Sequence, residues 1–483
     1  MKEEIKSETK SIYENCKNIN EYNKFMENLF SNLSKDFSFL KGTKFTKSDL
    51  IKNFQNNVNA LVNHIYQLNE NEEQNKDIYK CLSCIFGAFL GDATGAYCEF
   101  KGPNMNNIKK IFVGKPLFGD DPGQITDDSE MGIANAFALM DNPKYSEINS
   151  DYCFYFYGLW HISKPRDEGI TTRKALRNFK ASNFSQNENN YIDAFKEIKK
   201  NNDKSLANGF LMRTSPFIVW CYFRFKSQIE NVFKKDNYNL KDLFDLFENI
   251  RKQANKDNIC THPNDYLCIS HSIFTIMSLG AICELEPTRI LKIIEDLLGN
   301  DYFKDKEILN IKNMIMEELD YYKKDTQKSL AKIENSFLYF TKGDKNVNIH
   351  MGYYFHAFRL TLYFLYYFNE IEVEQNFTKF RTIMNQICAF GGDTDTNAAI
   401  VGAVIGPLIG YKKFGDEEFK KMVSLVPHNR FIFCPALMII YAYFIKDNKN
   451  IGESRRNFLK MLLMATFEKI DINNINNIFA YFD

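Results

Sequence analysis

Two short segments of the chain place acidic and hydroxyl side chains next to one another, directly before strongly apolar helical patterns. The residues concerned are Thr126, Asp127 and Asp128 in the first segment, and Asp393, Asp395 and Thr396 in the second. One interpretation is that they are ordinary helix caps, because carboxylates and hydroxyls accept hydrogen bonds from the free N–H groups at a helix start. A cap needs one side chain, however, and each segment supplies more acceptors than that. Carboxylates buried together repel one another unless cations lie between them.

The donor set indicates which cation to expect. Carboxylate, hydroxyl and water oxygens are ligands for magnesium or manganese rather than for zinc. Two ions, about 3.5–4 Å apart and shared by the two segments, are the usual arrangement for so many carboxylates. We therefore predict two Mg²⁺ ions, with Mn²⁺ as the alternative. The single Cys81–Cys84 pair has no second pair or nearby histidine, and it indicates two neighbouring core cysteines more than a zinc site.

The elements that must position these residues are predicted to be helices. From Asp77 onward apolar residues recur at three- and four-residue steps, and no run alternates as a sheet strand would. Similar spacing occurs before a polar stretch at 69–76. We predict an all-α protein with one compact domain over 79–445, a helical N-terminal extension over 1–78, and a helical tail over 446–483 that packs on the core.

Other candidate residues are less specific when each is considered alone. Glu99 follows a segment in which small residues recur at four-residue spacing, and without context it is a surface carboxylate beyond a helix. Asn208-Gly209 alone indicates a turn, and His262 alone indicates a packed imidazole. The glycines in Ala398–Tyr411, namely Gly402, Gly406 and Gly410, predict a helix that approaches another closely and holds the second acidic segment rigid.

Taken together, these pieces resemble the ADP-ribosylglycohydrolase family. Its pattern runs Gly-Asp-Ala-x-Gly-x-x-x-Glu, then Pro-Gly-x-x-Thr-Asp-Asp-Thr, then Gly-Gly-Asp-Thr-Asp-Thr. Here these are Gly91–Glu99, Pro122–Ser129 and Gly391–Thr396, with Ser129 in place of the commoner threonine. Further matches follow in order at Tyr157–Trp160, Asn208–Pro216, Thr261–Pro263 and Gly352–Tyr353. The resemblance covers about residues 79–445, and the first 78 residues lie outside it.

The resemblance implies a compact all-helical domain with two magnesium ions on the floor of a cleft. It implies that the metal ligands are Thr126, Asp127, Asp128, Asp393, Asp395 and Thr396, and that Glu99 is the general acid/base. It also implies ADP-ribose contacts from Asn208, Gly209, His262, Gly391 and Gly392, the last two by leaving backbone open to the ligand. The implied reaction is hydrolysis of the bond at the ribose anomeric carbon, through an oxocarbenium-like state.

Two questions of function stay open at this stage. Members of the family act on ADP-ribose attached to arginine, to serine, or in related compounds, and the motifs do not choose among these linkages. The alternative function is a non-catalytic ADP-ribose-binding or structural protein, since the family also includes such members. Inactive members usually lack acidic ligands, and here both acidic segments and Glu99 are present.

Composition excludes some partners and favours a compartment. The chain has 61 Lys and Arg against 61 Asp and Glu, spread without basic blocks, so we expect no direct binding to nucleic acid. The apolar runs at 352–368 and 398–411 contain charged residues or a proline and predict buried helices rather than membrane spans. The charged N-terminus and the scattered 11 cysteines favour a reduced protein of the cytoplasm or nucleus. We expect a monomer whose partner is an ADP-ribosylated protein or an ADP-ribosyl small molecule.

Overall fold

The computed structural model describes residues 73–109, 117, 123–142, 146–180, 183, 191–234, 237–299, 306–415, 438, 441, 442 and 445. Asp77–Asn448 form one compact unit. The second unit consists of Met1–Lys76 and Lys449–Asp483, of which only 73–76 are described. The predicted helices before residue 73 and the predicted tail over 446–483 therefore lie outside the described residues, and the domain boundaries remain predictions.

The described residues contain fifteen α-helices and no β-strand. They are α1 Glu73–Gly95, α2 Asp127–Asp141, α3 Ser150–Ile162, α4 Ile170–Leu176, α5 Ile192–Asn202, α6 Ser215–Arg224, α7 Lys226–Phe233, α8 Leu240–Asn258, α9 Asp265–Ile282, α10 Pro287–Gly299, α11 Lys306–Lys324, α12 Ile333–Thr341, α13 Tyr354–Tyr366, α14 Lys379–Phe390 and α15 Thr394–Ile409. The prediction of an all-α protein is confirmed.

The helices differ in how much of their surface is apolar, and this difference places them in the fold. Helix α8 buries one stripe that includes Leu243, Phe247, Ile250 and Ala254, which is the three- and four-residue spacing of an amphipathic helix. Helix α15, by contrast, is buried on every side from Thr394 to Pro407. A helix that is apolar all round belongs inside the protein, so α15 forms the centre of the core, with α9, α13 and α14 packed around it.

Helices α1 and α15 meet backbone to backbone along a line of small residues. A Cβ atom added to Gly87 would lie 2.2 Å from the carbonyl oxygen of Gly402, and one added to Gly91 would lie 2.2 Å from that of Ala398. The close approach predicted for Gly402 and Gly406 is confirmed. Gly410 lies one residue beyond the end of α15, with a φ of +88°, and it continues the same contact, because an added Cβ would clash with the Tyr79 side chain of α1.

A buried ion pair ties the helices that surround the centre. Arg213 donates to Asp257 of α8 over 3.0 Å, and both side chains are almost fully buried. The Tyr157 hydroxyl of α3 donates to the same carboxylate, and its ring lies under the guanidinium at 4.2 Å. Asn135 of α2 also donates to Asp257. The carboxylate is therefore paired and hydrogen-bonded from three elements, which makes its burial tolerable.

One described helix has the length and apolar composition that could cross a membrane. It is α9, and 89% of it is buried within the protein. The described cysteines, nine in number, are all free thiols.

A carboxylate cluster as candidate metal centre

The two acidic segments, which are more than 260 residues apart in the chain, meet in space. Among the described residues, the carboxylates of Asp92, Asp128 and Asp395 have oxygens within 4.8 Å of one another, as do those of Glu99, Asp393 and Asp395. Asp395 belongs to both groups. All five side chains are buried, with at most 8% of any residue exposed. The structure thus gathers five acidic groups in the interior, with Asp395 at the junction.

The folding of the chain explains how this convergence is built. Helix α2 begins at Asp127 and helix α15 at Thr394, so both acidic segments lie at helix N-termini. Gly95, the last residue of α1, packs so closely on α15 that an added Cβ would lie 2.4 Å from the Cα of Asp395. The backbone contact between α1 and α15 therefore brings Asp92 and the turn that carries Glu99 to the start of α15.

Neither segment serves as an ordinary cap. Thr126 and Asp393 occupy the N-cap positions of α2 and α15, and in both cases the side chain makes no capping hydrogen bond. The N–H groups of Thr126 and Ser129 instead donate to Asp92 of α1, over 3.0 and 3.2 Å. Neither N-cap side chain therefore caps its helix, and among the acidic side chains of the two segments Asp395 accepts one N–H of the first turn, from Thr396 over 2.9 Å. Capping thus accounts for only a small part of the acceptors that these segments supply.

The hydroxyl groups connect the two segments. The Thr126 hydroxyl lies 2.9 Å from Asp92 and 2.7 Å from Asp128, and Thr396 makes a side-chain hydrogen bond to Asp128. The second carboxylate oxygen of Asp128, Oδ1, is buried and has no hydrogen-bond partner. A buried carboxylate oxygen without a donor is strongly unfavourable in the absence of a cation. An orphaned oxygen within an all-oxygen donor set fits a hard divalent cation such as magnesium.

The electrostatics of the cluster also favour a cation. Burial, followed by the charge of neighbouring carboxylates, raises the pKa of Asp127, Asp128 and Asp395 well above the usual value. Burial raises the pKa of Asp92 to about 6 although four hydrogen bonds oppose the shift. These shifts mean that burial and mutual repulsion favour the protonated forms of these carboxyl groups more than water does. A divalent ion would replace those protons and restore the ionised form.

Glu99 lies at the edge of the cluster, in a turn fixed to the other acidic segment. The N–H of the next residue, Phe100, donates to the carbonyl of Gly392 over 3.0 Å. Glu99 itself is hydrogen-bonded to Asp395. Burial, and then the charges of Asp393 and Asp167, raise the pKa of Glu99 to about 8. A carboxyl group with such a pKa is able to hold and release a proton near neutral pH, as a general acid/base must.

The predicted substrate residues lie beside Asp393. Asn208 donates to Asp393 over 2.7 Å, and Gly209 faces the His262 ring, where an added Cβ would lie 2.9 Å from a ring carbon. His262 is fully buried, its Nδ1 pairs with Thr261, and its Nε2 has no partner. Burial and the charge of Arg213 lower the pKa of His262, so its imidazole is neutral. The site residues predicted from 208 to 262 are therefore near the second acidic segment.

Gly391 and Gly392 are required by the path of the backbone. Their φ angles are +79° and +81°, and an added Cβ would lie 2.6 Å from Asn348 Oδ1 at Gly391 and 2.5 Å from the Val347 carbonyl at Gly392. Both positions therefore exclude a side chain on steric grounds alone. Their predicted contact with ADP-ribose stays a prediction.

Two acidic residues of the site were missed by reasoning from the sequence. Asp92 was present in the matched motif but was not assigned a role. Asp167 is partly exposed, and its charge acts on Glu99, Asp127 and Asp393. Its neighbour Glu168 is held by His161 of α3 over 2.6 Å and by Arg173 of α4 over 3.3 Å. The motif spacing gave no signal for Asp167.

Comparison with known proteins finds several to which this chain is similar. A protein of Acanthamoeba polyphaga mimivirus, provisionally named an ADP-ribosyl glycohydrolase, is 27% identical over 335 residues, which are 68% of this chain and 86% of the viral protein. The ADP-ribosyl-(dinitrogen reductase) glycohydrolase of Rhodospirillum rubrum is 36% identical over 104 residues, 21% of this chain and 34% of that protein. A solved structure described as an ADP-ribosylglycohydrolase-related protein complex covers 76% of this chain and 97% of its own, with 17% identity and a TM-score of 0.47.

The family model of the ADP-ribosylglycohydrolases matches residues 73–423, a range that includes all the carboxylates of the cluster. The chain therefore belongs to the ADP-ribosylglycohydrolase family.

Proposed function

We propose that the protein hydrolyses the glycosidic bond between ADP-ribose and a protein side chain, with two Mg²⁺ ions bound at the carboxylate cluster. The observation that carries the proposal is the presence of two buried sets of three carboxylates each, which have Asp395 in common. Membership of the family supports glycohydrolase activity on ADP-ribosyl groups. Mn²⁺ would suit the same oxygen donors.

The residues that would hold the ions are Asp128, with its unpartnered oxygen, together with Thr126, Asp127, Asp393, Asp395 and Thr396. When bound, the ions supply positive charge and an oriented template for the ribose diol and a water molecule. This role is consistent with the oxygen donors of the cluster and with the need to remove the repulsion among them.

Glu99 would exchange the proton that the reaction requires. The departing side chain needs a proton, and the attacking water must lose one, so a single carboxyl group near the anomeric carbon serves both transfers. The raised pKa of Glu99 supports its role as the acid in the first transfer. Asn208, Gly209, His262, Gly391 and Gly392 would contact the ADP-ribose, and His262 Nε2, which has no partner within the protein, would be free to form a hydrogen bond with it.

The experiment that tests this function measures release of ADP-ribose from two defined peptides, one linked through arginine and the other through serine. The expected result is magnesium-dependent release from one or both peptides, and loss of release in Glu99→Gln with Mg²⁺ affinity retained. Near-normal turnover in Glu99→Gln with intact metal binding would refute the assignment of Glu99. Calorimetric binding of ADP-ribose without release from either peptide would instead support the non-catalytic alternative.

The protein would act as a monomer, in the cytoplasm or the nucleus, on ADP-ribosylated proteins or ADP-ribosyl small molecules. The R. rubrum relative is named for an ADP-ribosylated protein, dinitrogen reductase, which supports a substrate of this kind.

A further inference from the structure

We propose that Asp92 is a positioning residue of the metal centre, which holds Thr126 and Ser129 in place and does not itself bind an ion. The inference rests on the proposed function, because it assumes that the cluster binds divalent cations. Distance alone would allow Asp92 to be a ligand, since its carboxylate lies within 4.8 Å of Asp128 and Asp395 oxygens. The hydrogen bonds of Asp92 argue otherwise.

Both oxygens of Asp92 are already occupied by donors. Oδ1 accepts from the Thr126 hydroxyl over 2.9 Å and from the Thr126 N–H over 3.1 Å. Oδ2 accepts from the Ser129 N–H over 3.2 Å and from the Ser129 hydroxyl, and it shares the Thr126 N–H. A carboxylate offers about four acceptor sites. Four donor groups therefore fill Asp92, and an ion could bind it only by displacing one of them.

Asp128 shows the opposite state within the same group. Its hydrogen bonds are with the hydroxyl of Thr126, at Oδ2, and with the side chain of Thr396, while Oδ1 is buried and has no hydrogen-bond partner. An ion placed at Oδ1 gives a buried charge its missing partner, whereas an ion at Asp92 would remove existing hydrogen bonds. The structure thus separates a carboxylate that needs a cation from one that already has its donors.

The Thr126 hydroxyl shows what this positioning achieves. It has one proton and two carboxylate neighbours, Asp92 and Asp128. A hydroxyl binds a cation through its lone pairs. When the proton is given to Asp92, those lone pairs are turned toward Asp128 and are available to the ion. Asp92 therefore fixes both the position of Thr126 and the direction in which its oxygen faces.

Ser129 fits the same arrangement. Its hydroxyl donates to Asp92, so the serine that replaces the commoner threonine keeps the one function that the position requires. The matched control is Asp325, a carboxylate outside the cluster with a similar set of donors. It accepts from the N–H and hydroxyl of Ser329, from the Leu330 N–H and from the Tyr367 hydroxyl.

The test is calorimetric titration of the full-length protein with Mg²⁺, and with Mn²⁺ followed by electron paramagnetic resonance, in wild type, Asp92→Asn and Asp325→Asn. We expect Asp92→Asn to bind the same number of ions per chain with about 10- to 100-fold lower affinity, as is typical when a partner of a metal ligand is removed. Asp325→Asn should bind as wild type does. Loss of one ion per chain in Asp92→Asn would show that Asp92 is a ligand, and unchanged affinity would show that it has no part in the site; either result overturns the proposal.

A second pair of variants keeps the test informative if Asp92→Asn does not fold. Ser129→Ala removes a single donor to Asp92 and should lower the affinity for Mg²⁺ with the number of ions unchanged, while Ser129→Thr should restore wild-type affinity. Equal affinity in the alanine and threonine variants would overturn the proposal. A wild-type chain that binds no divalent ion would refute the metal-dependent function itself, before any variant is compared.

Discussion

The contact between helices α1 and α15 gives the most direct prediction, through the substitution Gly402→Ala. In the structure a Cβ atom on this residue would lie 2.1 Å from the carbonyl oxygen of Gly87 and 2.7 Å from its carbonyl carbon, whereas ordinary contact begins at 3.4 Å. Both contacting atoms are backbone, so no side chain can rotate away. The helices must therefore separate by roughly 1 Å or distort, which is overpacking of the core.

The size of the effect follows from two opposed terms. Overpacking in a dense core typically lowers the free energy of unfolding by about 1–3 kcal/mol, and sometimes by more. Replacing glycine by alanine within a helix raises the free energy of unfolding by up to about 1 kcal/mol, because alanine has the higher helix propensity. Because the clash involves backbone on both sides, we expect overpacking at the upper end of its range and therefore a net decrease of about 2 kcal/mol in the free energy of unfolding. Metal binding should weaken as well, since metal–ligand distances tolerate only about 0.2 Å and the ends of these two helices carry Asp92 and Asp395.

The assay is denaturant unfolding followed by circular dichroism, with Mg²⁺ affinity measured by calorimetry on the same samples. Gly132→Ala is the matched control, because this glycine lies inside α2 and an added Cβ would only touch the Phe89 ring at 3.4 Å. It should be neutral or stabilising by up to about 1 kcal/mol. Gly87→Ala meets the same contact from the other helix and should behave as Gly402→Ala does. Unchanged unfolding and unchanged Mg²⁺ affinity in Gly402→Ala would refute the reasoning.

Three further perturbations have defined outcomes. Burial raises the pKa of Glu99 from 4.5 to about 8. The metal-free folded protein therefore retains a proton that the unfolded chain loses near pH 4.5. Its free energy of unfolding should fall as the pH rises from about 5 to 8, by up to about 1.4 kcal/mol per pH unit. Thermal unfolding at several pH values would reveal the trend, and saturating Mg²⁺ should reverse it; a stability that rises with pH in the metal-free protein would contradict this. Asp257→Asn leaves the fully buried Arg213 without its counter-charge and should lower the free energy of unfolding by about 3–5 kcal/mol in urea. A change below about 1 kcal/mol, as for an exposed ion pair, would show that the pair is not buried in solution. Glu168→Ala releases the loop that carries Asp167 and should reduce kcat/KM for ADP-ribose release at least several-fold. The loss should be absent in an Asp167→Asn background, and an equal loss in that background would mean that Glu168 does not act through Asp167.

The helical fold could be predicted from the sequence, because apolar spacing is a local pattern. The meeting of the two acidic segments was required by the predicted metal site, but only the structure establishes it. Apolar spacing identifies helices such as α8 directly. The acidic residues before α2 and α15 were grouped by the number of acceptors that they offered, and the structure brings Asp128 and Asp395 together. The four-residue spacing of Gly402, Gly406 and Gly410 likewise predicted a close contact that the structure shows with α1, although α15 itself ends at Ile409.

What could not be predicted depends on contacts between residues far apart in the chain. Asp92 and the hydroxyl of Ser129 are 37 positions apart, and their hydrogen bond exists only because α1 and α2 pack side by side. Asp167 acts on the cluster from the loop between α3 and α4, and the motif residues on either side of it, Pro165 and Gly169, do not indicate an acidic role. Whether Thr126 and Asp393 would cap their own helices was likewise open, because that choice depends on which competing donors and charges the folded chain places nearby.

The backbone contact between α1 and α15 also has a consequence for how this fold tolerates change. The distance between Asp92 and Asp395 is set by the backbone contact between α1 and α15. It does not depend on the length of the chain between the two residues, which is roughly three hundred positions. Insertions, deletions and altered loops can therefore accumulate in that long interval, outside the segments that carry Glu99, Asp128 and Asp393, while the distance between Asp92 and Asp395 stays constant. A scaffold of this kind allows the surface loops to diverge among relatives while the backbone contact that sets these two carboxylates is kept.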